Sequence, residues 1–272
     1  MTTILERRLL TLPTPQLVPK TIWLAFSKPE YAIQETRKRT LEGVTFYDFT
    51  PEQEIRTRNL LESTGLPLNN VSGVNYAPTP DNRRNRIVLA QCEMATGHLT
   101  FFKSMEALPE RAQMGVGVHE LAHENSPFSE KNNALYSTEN LRAQAMMHAI
   151  NIADQSLQTN VYFDSYHKFL AQEYKEGKIS RLRFCEETHA IMIELRFTNT
   201  KHLEQVQNAQ LAKGGTRRIL SRRFDGSGQF FAEGVDKTLL SLMPQFRNVA
   251  QLDAHIAGLK SSLSVNSNPF GK

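Results

Sequence analysis

Hydrophobic and polar residues follow strand-like patterns in the first third of the chain. Residues 44–49 are rich in β-branched and aromatic side chains and predict a strand. The segments 85–91 and 97–102 also predict strands, and the short turn between them favours a β-hairpin. The second of these strands is interpreted as an edge strand that could bind an extended peptide.

Elsewhere, apolar residues recur mainly at helical spacing. Thr50 and Pro51 have the sequence of a helix start, so a helix is predicted to run to about residue 63. Apolar residues recur every three or four positions over 138–157. Other helices are predicted over 110–124, 160–176, 184–196, 199–212 and 246–260. The fold class expected is α+β, with a small, mostly antiparallel sheet and a helical C-terminal half.

Composition places the chain among ordinary globular proteins and excludes several other classes. Of its 272 residues, 40% are hydrophobic and 22% are charged, which excludes disordered polyelectrolytes and coiled coils. The net charge of +4 is too small to indicate a nucleic-acid or anionic-membrane partner by itself. The basic clusters at 37–39 and 217–223 leave phosphate contact open as an alternative to solvated surface.

Cysteine usage and the N-terminus indicate the compartment. Cys92 and Cys185 are too few for a disulfide-scaffolded domain. No Sec signal is visible at the N-terminus, and no apolar run approaches the roughly 20 residues that span a bilayer. We expect a cytoplasmic protein, or one exported without a Sec signal, including into a host cell, and no membrane insertion.

The predicted 110–124 helix contains the segment His119-Glu-Leu-Ala-His123, an HExxH motif. Residues at i and i+4 are separated by about 400° of rotation and about 6 Å of rise, so both histidines stand on one helix face. Imidazole nitrogens so placed can bind a single Zn²⁺. Glu120 is then positioned to accept a proton from a metal-bound water as general base.

A catalytic zinc needs a third protein ligand from elsewhere in the chain. Glu139 is favoured because it begins the next long predicted helix, 16 residues after His123. Alternatively, Glu139 is a carboxylate at a helix N-terminus that the helix macrodipole stabilises and that binds no metal. Four other side chains remain candidates for the third ligand: His148, Glu130, Asp154 and Glu124.

Three segments carry a resemblance to a known family. They are His119-Glu-Leu-Ala-His123, Tyr136-Ser-Thr-Glu-Asn-Leu141 and Tyr162-Phe-Asp-Ser-Tyr-His-Lys-Phe-Leu170. Their order resembles the zincin-like metallopeptidase domain of ArdC-type antirestriction proteins, which is of the gluzincin type. The resemblance covers about 100 residues. It implies a sheet packed on the HExxH helix and Glu139 as the third zinc ligand.

The chain is expected to divide into four regions. Residues 76–212 form the zincin-like metallopeptidase core, preceded by an α/β region over 1–75. A helical extension over 213–260 and a flexible tail over 261–272 follow. The family's N-terminal single-stranded-DNA-binding domain is not recognisable here. Ala122, Asn125 and Gln144 also depart from the family pattern, so antirestriction activity is not carried over.

The function expected is that of a zinc-dependent metalloendopeptidase that hydrolyses a protein or peptide substrate through a metal-activated water. Tyr162, Tyr166 and His167 are candidate donors to the oxyanion, whereas His98 and His189 are interpreted as structural. One alternative is an inactive, metal-stabilised binding module, associated with nucleic acid. Another is an exported bacterial protease effector or toxin that acts on a host protein.

Overall fold

The computed structural model describes residues 40–80, 88–136, 138–213 and 229–263. These residues group into two compact units. The sheet unit lies within Arg37–Ser126, Ala190–Thr200 and Leu242–Lys272, and the helical unit lies within Pro127–His189 and Lys201–Ser241. The boundaries of these units differ from the predicted domain boundaries after residues 75 and 212. The domains expected from sequence stay a prediction.

The described chain is α+β and mostly helical. Its helices, in chain order, are α1 (Pro51–Ser63), α2 (Glu110–Glu124), α3 (Glu139–Thr159), α4 (Ser165–Lys175), α5 (Arg181–Thr198), α6 (Thr200–Lys213), α7 (Gln229–Leu242) and α8 (Val249–Leu263). The predicted ranges 51–63 and 110–124 match α1 and α2 residue for residue. The predictions for α3 to α6 and for α8 are confirmed with shifted ends, and α7 was not predicted as a separate helix.

The sheet unit contains a mixed four-stranded sheet in the order β1-β2-β4-β3. Its strands are β1 (Thr45–Tyr47), β2 (Gly73–Ala77), β3 (Ala90–Glu93) and β4 (His98–Phe102). β2 is parallel to both β1 and β4, whereas β3 is antiparallel to β4. The prediction of a mostly antiparallel sheet is therefore wrong. Its physical reason is that α1 separates β1 from β2, which lets β2 return parallel to β1.

The predicted hairpin is confirmed, with Cys92 of β3 opposite Leu99 of β4. Gly97 closes its turn at a φ of +76°, and a Cβ there would lie 1.9 Å from the carbonyl oxygen of Asn70. Only glycine fits this position. Because β4 has paired strands on both sides, the interpretation of 97–102 as an edge strand is wrong, and β3 occupies that edge instead.

Side-chain caps explain where several helices begin. Thr50 and Gln53 form a reciprocal capping box at the start of α1. Thr138 accepts a hydrogen bond from the backbone of Leu141 at the start of α3. Asp164 accepts one from the backbone of His167 at the start of α4, at 2.7 Å. These short polar residues satisfy amide groups that have no partner within the helix.

The HExxH helix α2 is buried over most of its length. Val118, Leu121 and Ala122 lie in the core of the sheet unit, where α2 packs against β3 and α1. Gly117 allows close approach, since a Cβ there would meet Leu61 at 3.4 Å. A helix in such surroundings holds polar side chains only where they have partners. The buried histidines and carboxylates of α2 therefore need a chemical explanation.

Three sequence predictions fall partly or wholly outside the described residues. The basic clusters at 37–39 and 217–223 lie outside them. Of the predicted tail, residues 261–263 end α8, and residues 264–272 lie outside the described part. Within the described ranges, no helix is both long enough and apolar enough to cross a membrane.

Candidate metal centre

The two histidines of α2 approach each other through their Nε2 atoms. His119 Nε2 and His123 Nε2 are 3.2 Å apart, and both side chains are buried. Two nitrogens held at about 2.0–2.1 Å from one tetrahedral Zn²⁺ are about 3.3–3.4 Å apart. The separation of the two nitrogens therefore matches that of two ligands of a single ion.

The other nitrogen of His119 has a carboxylate partner. Glu194 of α5 places Oε2 3.1 Å from His119 Nδ1. Because a carboxylate oxygen accepts hydrogen bonds, Glu194 favours the His119 tautomer that carries its proton on Nδ1 and its lone pair on Nε2. Gly115 makes room for this carboxylate, because a Cβ there would lie 3.2 Å from Glu194 Oε1.

Glu187 completes a group that could hold a metal ion. Within the described residues, His119, His123 and Glu187 each offer one ligand atom, and these atoms all lie within 4.8 Å of one another. Glu187 precedes Glu194 by seven residues in the continuous helix α5, a rotation of about 700°, so both carboxylates project from nearly the same side. All three members of the group are buried.

Glu139, the third ligand expected from sequence, is not in this group. It lies in the first turn of α3, and its side chain is exposed. The carboxylate grouped with the two histidines is therefore Glu187 rather than Glu139. The start of a helix gave Glu139 a plausible position in sequence, but spacing along the chain does not determine which helix supplies a distant ligand.

The other candidates for the third ligand also lie outside the group. Glu130 is exposed, and Asp154 forms an ion pair with Arg181 at 2.7 Å. His148 packs tightly against Gly234, where a Cβ would lie 2.5 Å from the imidazole ring. Burial, with a smaller contribution from the charge of Lys237, lowers the pKa of His148 to about 4.

Each of the two histidines of α2 is followed directly by a glutamate. Glu120 follows His119 directly and is buried, with 7% of its surface exposed, so it remains the candidate general base. Glu124 follows His123 and is fully buried, and its Oε1 accepts a hydrogen bond from the Cys92 thiol at 2.9 Å. Glu124 is therefore engaged with the edge strand β3.

Of the three candidate oxyanion donors, Tyr166 forms a hydrogen bond with a member of the group. Its hydroxyl lies 3.2 Å from Glu187 Oε2. Tyr162 instead donates to Asn160 on the exposed surface. His167 is fully buried and its ring lies 3.0 Å from the Thr188 hydroxyl, and burial lowers the pKa of His167 to about 3. His167 therefore ties α4 to α5.

The two histidines interpreted as structural differ in their surroundings. His98 of β4 is half-buried, and its ring lies 5.8 Å from the ring of Tyr47. His189 lies in α5, two residues after Glu187, and is buried. Neither belongs to the group of possible metal ligands.

Sequence reasoning missed Glu187 and Glu194, although α5 contains a usable signal. The two carboxylates stand seven residues apart in α5, on either side of the apolar run Ala190–Ile193. Charged residues rarely occupy buried helix faces unless they are paired or bind a metal. Two carboxylates on one side of such a helix therefore indicate an ion-pair or metal-binding role.

No protein-family model, characterised protein or solved structure matches this chain.

Proposed function

We propose that this chain is a zinc-dependent metalloendopeptidase of the gluzincin type that hydrolyses peptide bonds of a protein substrate. The observation that carries the proposal is the 3.2 Å separation of the two Nε2 atoms beside the buried carboxylate of Glu187. Two imidazoles and one carboxylate are the ligand set of a catalytic zinc site that keeps a further position open. Calcium and magnesium instead prefer oxygen ligands alone.

Buried negative charge on the helices that carry these ligands favours the binding of a divalent cation. Buried carboxylates occur in α2 at Glu120 and Glu124 and in α5 at Glu186 and Glu187. Removing carboxylates from water costs free energy unless cations or hydrogen-bond donors compensate. A bound divalent ion would add to the partners that these carboxylates already have, among them Arg183 and the Cys92 thiol.

Each residue then has a defined task in hydrolysis. A bound zinc ion supplies Lewis acidity and lowers the pKa of water. His119, His123 and Glu187 hold the ion, and Glu194 orients His119 through Nδ1. The Glu120 carboxylate accepts the proton of the attacking water and delivers it to the nitrogen of the leaving amine.

The test is cleavage of a mixed peptide library and of an unfolded protein by the purified full chain. We expect new internal termini by mass spectrometry, lost after treatment with a chelator and recovered when zinc is restored. Elemental analysis should find a single zinc ion per chain. Zinc binding without cleavage of either substrate would favour the metal-stabilised binding module. A purified chain that has been supplied with zinc and retains none would exclude both functions.

Glu194→Gln tests the orienting carboxylate, because it keeps the size of the side chain and removes its charge. We expect zinc affinity to fall by about 10- to 100-fold, since partners of metal-bound histidines contribute effects of this size. Competition with a chromophoric chelator measures the dissociation constant. Glu204→Gln, at an exposed position of α6, is the control. Equal affinities in Glu194→Gln and wild type would argue against an orienting role.

A further inference from the structure

The carboxylate of Glu187 is held by an arginine of its own helix. Arg183 Nη2 lies 2.5 Å from Glu187 Oε1, one helical turn away. The Glu187 side chain is only 1% exposed, whereas that of Arg183 is 43% exposed. Exposed pairs at this spacing contribute little, but a charge-assisted bond to a buried carboxylate is stronger and more directional.

A tyrosine holds the other oxygen of the same carboxylate. The Tyr166 hydroxyl lies 3.2 Å from Glu187 Oε2, so each oxygen of Glu187 has its own donor. The neighbouring His167 of α4 contacts α5, where its ring lies 3.0 Å from the Thr188 hydroxyl. The His167 ring stacks on Phe184 at 5.3 Å.

Arg183 also approaches Glu186, but at a longer distance. Its Nη1 lies 3.7 Å from Glu186 Oε2. This separation satisfies an ion pair and exceeds the length of a normal hydrogen bond. The guanidinium therefore makes its short, directional contact with Glu187.

We propose that Arg183 and Tyr166 are positioning residues that hold Glu187 so that it binds zinc through one oxygen. This inference rests on the proposed zinc site. A carboxylate has about four lone-pair positions, two on each oxygen. The bond from the Arg183 guanidinium uses one of the positions on Glu187 Oε1. Binding through both oxygens would disturb that bond, whereas binding through Oε2 leaves it intact. A single-oxygen contact suits four-coordinate zinc, and two-oxygen contacts are typical of larger cations such as Ca²⁺.

The experiment compares two variants with two matched controls in the full chain. Arg183→Gln and Tyr166→Phe each remove one donor to Glu187. Arg181→Gln removes an ion pair of the same helix, with Asp154, and Tyr47→Phe removes the hydroxyl of an exposed tyrosine in β1. The first readout is the zinc dissociation constant, and the second is the visible absorption of the Co²⁺-substituted protein, which is intense for four-coordinate sites and weak for six-coordinate ones.

We expect Arg183→Gln to weaken zinc binding by about 10- to 100-fold and to reduce the Co²⁺ absorption. Tyr166→Phe should act in the same direction with a smaller effect, and both controls should match wild type. Arg183→Lys, which keeps one charged donor, should recover part of the affinity. Circular dichroism of each variant identifies any loss of folding, in which case Tyr166→Phe and Arg183→Lys decide.

Two results would overturn the inference while leaving the proposed function intact. One is wild-type affinity and absorption in Arg183→Gln and Tyr166→Phe. The other is an equal loss in Arg181→Gln, which would assign the effect to the stability of α5. Absence of zinc from the wild-type chain would overturn the proposed function itself, and the positioning role with it.

Discussion

Glu120→Gln should bind zinc as the wild type does and lose peptide hydrolysis by about 10²- to 10⁴-fold, the usual contribution of a general base. The amide of glutamine has nearly the size of the carboxylate, so the buried position beside His119 can accept it. It has no basic oxygen that can take a proton from water at neutral pH. The proposed ligands His119, His123 and Glu187 are unchanged in this variant, so the loss should appear in kcat.

The measurement pairs the kcat for a cleaved library peptide with the zinc content of the same preparation. Glu110→Gln is the matched control, because it makes the same change in the first turn of α2, away from the histidines. Retained hydrolysis in Glu120→Gln would remove Glu120 from the role of general base. Loss of zinc from this variant would instead indicate that Glu120 supports the metal site.

The local parts of this structure could be predicted from sequence because their causes are local. Thr50 and Pro51 begin α1 through hydrogen bonds and a backbone preference that involve only neighbouring residues. His119 and His123 likewise lie on the same face of α2 because they are one helical turn apart. Such features need no knowledge of the rest of the fold.

The long-range parts depend on packing that spacing does not encode. Strand direction was predicted wrongly because the pairing of β2 with β4 joins segments separated along the chain by β3. The third ligand expected from sequence, Glu139, begins the first helix after the motif, whereas the carboxylate grouped with the two histidines lies in α5. This grouping, the burial of Glu187 and the contact of Glu194 with His119 distinguish α5 from α3.

Glu187→Gln should therefore lose most of its zinc affinity, whereas Glu139→Gln should bind zinc like the wild type. Structural zinc sites with four ligands contribute about 10–16 kcal/mol, or about 2.5–4 kcal/mol per ligand. Loss of one ligand then corresponds to a zinc dissociation constant that is about 10²- to 10³-fold higher. Glu139 is exposed at the start of α3, and its replacement removes no contact from the group.

Competition titration with a chromophoric chelator compares the two variants under the same conditions, with circular dichroism as the check on folding. The pair is a direct choice between two assignments, since both changes replace one carboxylate by an amide. Weak zinc binding in Glu139→Gln together with wild-type affinity in Glu187→Gln would restore the ligand expected from sequence. It would also remove the basis for the positioning role of Arg183 and Tyr166, because the carboxylate that they hold would no longer bind the ion.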